Sequence, residues 1–356
     1  MDVLPETIAV TGVAGRLAQR LLPHLDTMEG LQRVVGLDVR EPARGMRHFE
    51  FHRVDIASSD LTAILEGVDT IVHLAGVVDG GSDTALLAHV NLEGSRRMLA
   101  AAATVGVRRI VQTSSAAVYG AWPNNPLPIT EDAPLRPNPG YLPALHDAEK
   151  ERRLAQWCEQ HPTATATTLR MAPVVGPGAH GVFARAALGR PPVSVRGAAR
   201  PIQVVHVDDA VSALALAVAR DLDGAYNVAA DGWVSGASLR DLVGNGPPAL
   251  PDDLARRMLH ALWSSGLGDA PPGVLPYLLH PWVVANDRLR AQGWAPVHSN
   301  ESAILASPPL ESALTARRRA ALTVAAVAGT AGAGFGVARV ARRVKERGLR
   351  LRRARR

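Results

Sequence analysis

Short apolar runs alternate with amphipathic segments over roughly the first 230 residues. Runs at 7–11, 33–38, 49–54, 70–74, 109–113, 164–170 and 224–228 have the length and β-branched content of strands. Between them, Leu17, Leu21, Leu22 and Leu25 recur at helical spacing. Leu61–Leu65 reads as a short helix, Ser82–Val105 as an Ala-rich one, and a further helix is expected around Ala144–Gln160. Strands alternating with helices in this way predict an α/β fold with a parallel, doubly wound sheet. The pattern breaks into Pro/Gly-rich stretches and short helices at 173–200 and 231–296. Such insertions build a lid over the carboxyl ends of the strands, where open α/β sheets bind ligands. No internal repeat is visible.

The first strand runs straight into Thr11-Gly12-Val-Ala-Gly15-Arg16-Leu17-Ala18 and then a helix. Gly12 permits a tight turn, Gly15 lets backbone approach a pyrophosphate, and Ala18 allows close helix–strand packing. The helix N-terminus then offers free N–H groups to the phosphates. Asp38 closes the second strand roughly 20 residues further on, where a ribose diol is bound in such units; a solvated strand end is the plainer reading of the same residue. NAD is the favoured cofactor. Arg40 and Arg16, either of which suits a 2′-phosphate, leave NADP open.

Composition narrows the class. The chain has 356 residues, 47% of them hydrophobic and 4% aromatic, enough for a large core. Its single cysteine, Cys158, excludes a disulfide framework and a cysteine-rich zinc site. The net charge of +6 misleads: residues 316–356 contain 13 Lys/Arg and one acid, so the remaining residues are acidic overall. A nucleic-acid-binding core is not supported. The first strand starts within a few residues of Met1, which reads as a cytoplasmic-type start without a signal peptide.

The chain resembles the extended short-chain dehydrogenase/reductase superfamily, the NAD-dependent epimerase/dehydratase group. The matching pieces occur in order: the glycine turn at 11–18, Asp38, Val54-Asp55-Ile56, Val72-His73-Leu74-Ala75-Gly76, Asn91, Thr113-Ser114-Ser115 with Tyr119-Gly120, Leu169-Arg170, Gly176-Pro177-Gly178 and His206-Val207-Asp208-Asp209. They span about residues 7 to 300. The resemblance implies a cofactor site of Gly12, Gly15, Arg16, Leu17, Asp38, Asp55, Ile56, Leu74, Ala75, Gly76 and Thr113, with Asp55 near the adenine. Ser115 falls at the position of the group's active-site Ser/Thr. Read from the residues alone, Asp55 is also a helix-capping acid, His73 a satisfied core group and Asn91 a backbone partner within its helix. His206, Asp208 and Asp209 read as a helix start rather than a metal site.

The chemistry of that group needs a Tyr that trades a proton with the substrate and a Lys four residues later that lowers the Tyr pKa. Neither register of the segment Tyr141-Leu-Pro143-Ala-Leu-His146-Asp147-Ala-Glu149-Lys150-Glu151-Arg152 supplies both. With Tyr141 as the acid, Leu145 takes the Lys place. The register that matches five downstream positions without a gap puts Pro143 at the Tyr and Asp147 at the Lys. Lys150 lies nine residues past Tyr141 and is no i+4 partner. Two routes stay open: Tyr141 working beside Ser115 from the loop before the helix, or a proton from His146 or Tyr119. Pro173 stands where nucleotide-sugar members carry Asn, so the segment is closer to sterol- and flavonoid-type reductases. Trp233, Trp263, Trp282 and Tyr277 either line an apolar pocket or fill the core.

These readings divide the chain into a cofactor domain at 1–172 completed by 203–230, a substrate subdomain at 173–202 and 231–312, and a tail at 313–356. In the tail, Ala320–Ala338 is an uncharged run between arginine clusters. Its length suits a membrane anchor on the cytoplasmic face, although its Ala/Gly content makes insertion marginal. Gly332 and Gly336 suit close helix packing, and the Arg-rich end an anionic membrane surface. Two functions follow. One is an NAD-dependent epimerase/dehydratase-type or hydroxysteroid-dehydrogenase-like oxidoreductase for an apolar alcohol or carbonyl, with atypical catalysis. The other is a non-catalytic NAD(H)-binding sensor or membrane scaffold. A homodimer is compatible with either.

Overall fold

The computed structural model describes residues 5–77, 83–178, 181–197, 200–244, 247–268 and 270–307. The tail, with its proposed anchor, lies outside the described residues. Among the described residues no helix is long and apolar enough to cross a membrane.

The seven strands expected from the pattern all form. They are β1 (Thr7–Thr11), β2 (Arg33–Asp38), β3 (Phe49–Arg53), β4 (Thr70–His73), β5 (Arg109–Ser115), β6 (Thr165–Met171) and, later in the chain, Gly224–Val228. Short pairs come between or after: β7 (Val174–Val175) beside β9 (Val205–His206), and β8 (Ser194–Val195) beside β11 (Ala249–Leu250). With Gly224–Val228 as β10, the main sheet has the order β10-β6-β5-β4-β1-β2-β3, every pair parallel. Successive residues face opposite sides. Ile8 and Val10 join Leu21, Leu25, Val72 and Leu169 on one face, while Ala9 joins Val35, Ile71, Ile110 and Met98 on the other. Both faces are covered, which is why the strands read as continuous apolar runs.

The helices are α1 (Arg16–Asp26), α2 (Thr84–Ala88), α3 (Ser95–Val105), α4 (Leu142–Gln160), α5 (Val182–Ala187), α6 (Val207–Ala219), α7 (Gly236–Val243) and α8 (Asp252–Ser264), with α4 and α6 packed on β5 and β6 and with α5 and α7 contributing to a separate apolar cluster. α6 starts with Asp208 and Asp209 in its first turn, where acids suit the dipole. They go to different partners: Asp208 to Arg20 at 2.7 Å, and Asp209 to the Val297 and His298 backbone N–H groups at 2.9 and 3.0 Å.

Two helical expectations fail. Leu61–Leu65 makes a single α-type hydrogen bond, Leu65 N–H to Leu61 O at 2.9 Å, within a run of turns and no helix. The segment expected as one helix from 82 is described from Thr84, and a π-helical stretch, His89–Gly94, interrupts it. The extra residue re-aims Asn91. Its side chain does not serve its own helix but reaches across to Val77, accepting from the N–H at 2.7 Å and donating to the carbonyl at 2.9 Å.

Candidate cofactor and active site

β1 and β4 are neighbours, yet the chain leaves them in opposite directions along the sheet, so a crevice opens between their carboxyl ends. Gly12 lies at its floor with φ +71°, and a Cβ there would stand 2.8 Å from both Cα and N of Ala75. Only glycine lets these two backbones meet. The Gly12 N–H donates to Leu37 O and the Gly15 N–H to Gly12 O, each at 2.8 Å, closing the turn that delivers the chain into α1. Thr11 Oγ1 ties the crevice wall to the turn by accepting from the Ala75 N–H at 3.2 Å.

Arg16 opens α1, whose first turn holds no acid. Its Nε and Nη1 are buried and have no hydrogen-bond partner among the described residues. Gly178, in the loop after β7, packs against its Cδ. Burial, with Arg20 nearby, lowers the Arg16 pKa. Enclosed, unanswered donors beside a helix N-terminus are what a pyrophosphate requires.

Asp38 is no solvated strand end. Its side chain is 8% exposed and accepts from the Ala14 N–H at 3.0 Å and the Arg40 N–H at 2.9 Å, which fixes the carboxylate at the rim of the glycine turn. Arg40 itself points outward. Asp55 does cap the following turn, accepting from the Ala57 N–H at 2.9 Å, and pairs with His89 at 3.1 Å. Partial burial opposes its ionisation, but those bonds and one from Ser58 outweigh it and lower the pKa. Ile56 is buried against Gly94. Leu17 packs at the edge of the core. The Leu74 N–H donates to Thr11 O at 3.2 Å, continuing the crevice wall toward Gly76. Thr113 lies near the end of β5, and Ser115 ends that strand, its Oγ accepting from the Ala117 N–H at 3.2 Å.

α4 carries the two positions at which the downstream register expects the dyad. Pro143 is in its first turn, and Asp147 pairs with Lys150 at 2.8 Å, their side chains 18% and 6% exposed. One position on, Glu151 bonds Ser114 Oγ and Arg170, the latter at 2.8 Å. His73, at the end of β4, bonds Thr11 Oγ1 at 2.7 Å and Ser95 Oγ at 2.8 Å. Complete burial, reinforced by Lys150, drops its pKa to about 3, so it stays neutral. His146 is buried with Nδ1 unpartnered among the described residues; burial lowers its pKa, and Lys150 adds to this against Asp147.

Tyr141 caps α4 and is 4% exposed, its ring against Phe183 at 5.1 Å and Tyr277 at 5.4 Å. Trp282 completes this aromatic group, while Trp233 is exposed. Tyr277 also donates to Ala117 O at 2.8 Å, which brings the group to the segment behind Ser115. Tyr119, considered as a proton source from sequence, has its hydroxyl engaged on both sides. Its hydroxyl donates to Asn227 at 2.8 Å and accepts from Arg170 at 2.7 Å, and burial pushes its pKa up to about 12. Buried polar residues on β5, β6 and β10 thus hold one another, and no periodic signal in sequence marks such a cluster.

A family model described as the NAD dependent epimerase/dehydratase family matches residues 8–229. The chain belongs to that family. An uncharacterized protein of Mycobacterium tuberculosis is 30% identical over 241 residues, 64% of this chain and 63% of its own length, so the match spans under two thirds of that relative. A 3-diazoavenalumate denitrifying reductase of a Streptomyces species is 29% identical over 326 residues, covering 82% of this chain and 96% of the reductase. Among solved structures, the Thermus thermophilus UDP-glucose 4-epimerase in complex with NAD is 25% identical with a TM-score of 0.63, over 85% of this chain and 97% of that one. The family's sheet and glycine turn are therefore present here.

Proposed function

We propose that this chain is an NAD(H)-dependent reductase for a small, largely apolar substrate, and not a sugar-nucleotide epimerase. What supports this reading is the crevice between the carboxyl ends of β1 and β4, floored by Gly12, together with Pro143 and Asp147 at the places on α4 where the resemblance expects the Tyr and the Lys. In this reading residues 1–172 and 203–230 hold the cofactor, and 173–202 with 231–312 cover it. Gly12, Gly15 and Arg16 receive the pyrophosphate, Asp38 the ribose diol, Asp55 and Ile56 the adenine, and Leu74, Ala75, Gly76 and Thr113 line the remaining length. The enclosed Asp38 carboxylate disfavours a 2′-phosphate, which selects NAD(H) over NADP(H).

When bound, the nicotinamide supplies or accepts a hydride. Ser115 positions the reacting group by hydrogen bonding. Epimerisation requires a base that takes a hydroxyl proton before hydride leaves carbon. With Pro143 and Asp147 on α4, no tyrosinate–lysine base is available, and an anionic Asp147 would raise rather than lower a neighbouring phenol's pKa. Hydride donation to an electron-poor acceptor has no such need, since the product can be protonated afterwards, from Tyr141 or from solvent. The Streptomyces relative, a reductase matched over 96% of its length, supports the same choice.

The test is a titration of the purified full chain with NADH and NADPH, followed by NADH oxidation with a panel of electron-poor carbonyls and conjugated acids. NADH is expected to bind at least about tenfold tighter than NADPH, a difference of about 1.4 kcal/mol. Turnover should appear on some acceptors, with UDP-glucose and UDP-galactose left unconverted. Interconversion of those sugars would overturn the proposal. Tight NADH binding without turnover on any acceptor would transfer the assignment to a non-catalytic NAD(H)-binding protein.

A further inference from the structure

The two most deeply buried guanidinium groups of the described residues are answered by an acid. Arg170 meets Glu151 at 2.8 Å and Arg109 meets Asp221 at 3.1 Å. Arg200 is different. Its Nε donates to the Leu278 carbonyl at 2.9 Å, and no carboxylate of the described residues pairs with it. Burial draws its pKa down to about 10, which leaves it cationic at neutral pH. Its side chain is half-buried, and its Nη edge has no protein partner among the described residues.

Arg200 lines a cavity of about 130 Å³ between α5, β8 and α7. Val193, Val195, Ile202 and Leu239 give it apolar walls, and among the described residues Arg240 is its other charged residue and no Asp or Glu lines it. Arg200 also lines a second, water-sized cavity together with Phe183 and Trp282. Phe183 is 5.1 Å from the Tyr141 ring, so this second cavity borders the aromatic group at the start of α4.

We propose that this cavity is a carboxylate subsite, in which Arg200 receives the acid group of a small and otherwise apolar substrate and Arg240 guards the mouth. The inference rests on the reductase reading and deepens it by naming the substrate's anionic end. A guanidinium whose Nε is already engaged keeps its Nη edge for the two oxygens of one carboxylate. The volume approaches that of engineered cavities of about 150 Å³ that hold one benzene ring. A nucleoside diphosphate is far larger and carries more charge than one inner arginine answers.

The test uses the full-length protein, titrated calorimetrically with benzoate, benzamide, inorganic phosphate and UMP, each with and without NADH. Benzoate is expected to bind, and benzamide to bind about tenfold more weakly or worse, since a charge-assisted hydrogen bond is lost. Arg200→Met should weaken benzoate by at least about tenfold while the NADH titration stays unchanged, Arg200→Lys should restore part of the loss, and Arg240→Ala should weaken benzoate by a smaller factor. Equal binding of benzamide and benzoate would overturn the subsite. So would benzoate binding retained in Arg200→Met, or phosphate or UMP binding more tightly than benzoate. Should Arg200→Met fail to fold, the benzoate–benzamide comparison in the unaltered protein decides by itself. Loss of NADH binding in the unaltered protein would remove the reductase reading and leave the benzoate result standing.

Discussion

Replacing Gly12 by alanine tests the crevice at its narrowest point. Two separable costs apply. The residue has φ +71°, and a non-glycine residue in that region costs about 1–2 kcal/mol. The new Cβ would also stand 2.8 Å from Cα and N of Ala75 and 2.9 Å from the Leu74 carbonyl carbon. These are backbone atoms tied down by Thr11 O and Oγ1, so they cannot swing away as a side-chain end would. Overpacking of this kind adds about 1–3 kcal/mol. Gly12→Ala is thus expected to lose about 2–5 kcal/mol of stability, read as a lower urea midpoint at constant slope. Gly106→Ala is the control. It has φ +75° at the end of α3 with nothing within 4 Å, so it bears only the conformational cost. If the two variants lose the same stability, the close approach of the β1 and β4 loops is refuted. If Gly12→Ala then binds NADH as the unaltered protein does, the glycine turn is not where the pyrophosphate rests.

Other outcomes follow from the same geometry. Asp38→Asn should weaken NADH by about tenfold and narrow the preference over NADPH, measured by fluorescence titration of both nucleotides; an unchanged ratio would remove Asp38 from the ribose site. Glu151→Gln leaves Arg170, whose side chain is 9% exposed, without its counter-charge, and about 3–5 kcal/mol of stability should be lost in urea denaturation. A loss below about 1 kcal/mol would mean that Tyr119 and the Glu131 carbonyl suffice. For His73 the native pKa of about 3 lies below the unfolded value of about 6.5, so its neutral form contributes stability that is present above pH 6.5. That stability is lost as pH falls, by up to about 1.4 kcal/mol per unit until the native pKa is reached. The difference in unfolding free energy between pH 7 and pH 5 should therefore shrink by about 2 kcal/mol in His73→Gln, and an identical pH dependence in both proteins would show that His73 is solvated in the folded state.

The strands, the glycine turn and Asp38 are all legible along the chain. The reason is that each rests on local periodicity or on spacing within one strand–turn–helix unit. A buried parallel strand must be apolar on both faces, and Ile8, Ala9 and Val10 say so without reference to anything distant. What the pattern could not convey depends on groups far apart in sequence. The Asn91 side chain reaches out of its helix because Val77, in the loop after β4, lies opposite, and the π-helical stretch that permits this has no apolar signature. The Tyr119 hydroxyl is engaged on both sides because Asn227 and Arg170 close around it. Leu61–Leu65 has helical spacing but gains only one turn's hydrogen bond, too little to offset nucleation. Arg200 reads as an ordinary basic residue before a strand, and only the folding of α5, α7 and β8 around it makes it an isolated cation facing a cavity. By itself the sequence determined the sheet and the cofactor turn, because backbone hydrogen bonding and burial act on neighbours. The tertiary structure decided which polar groups are silenced and which are left with unmet charge, because desolvation and ion pairing depend on whatever the fold brings within a few ångströms.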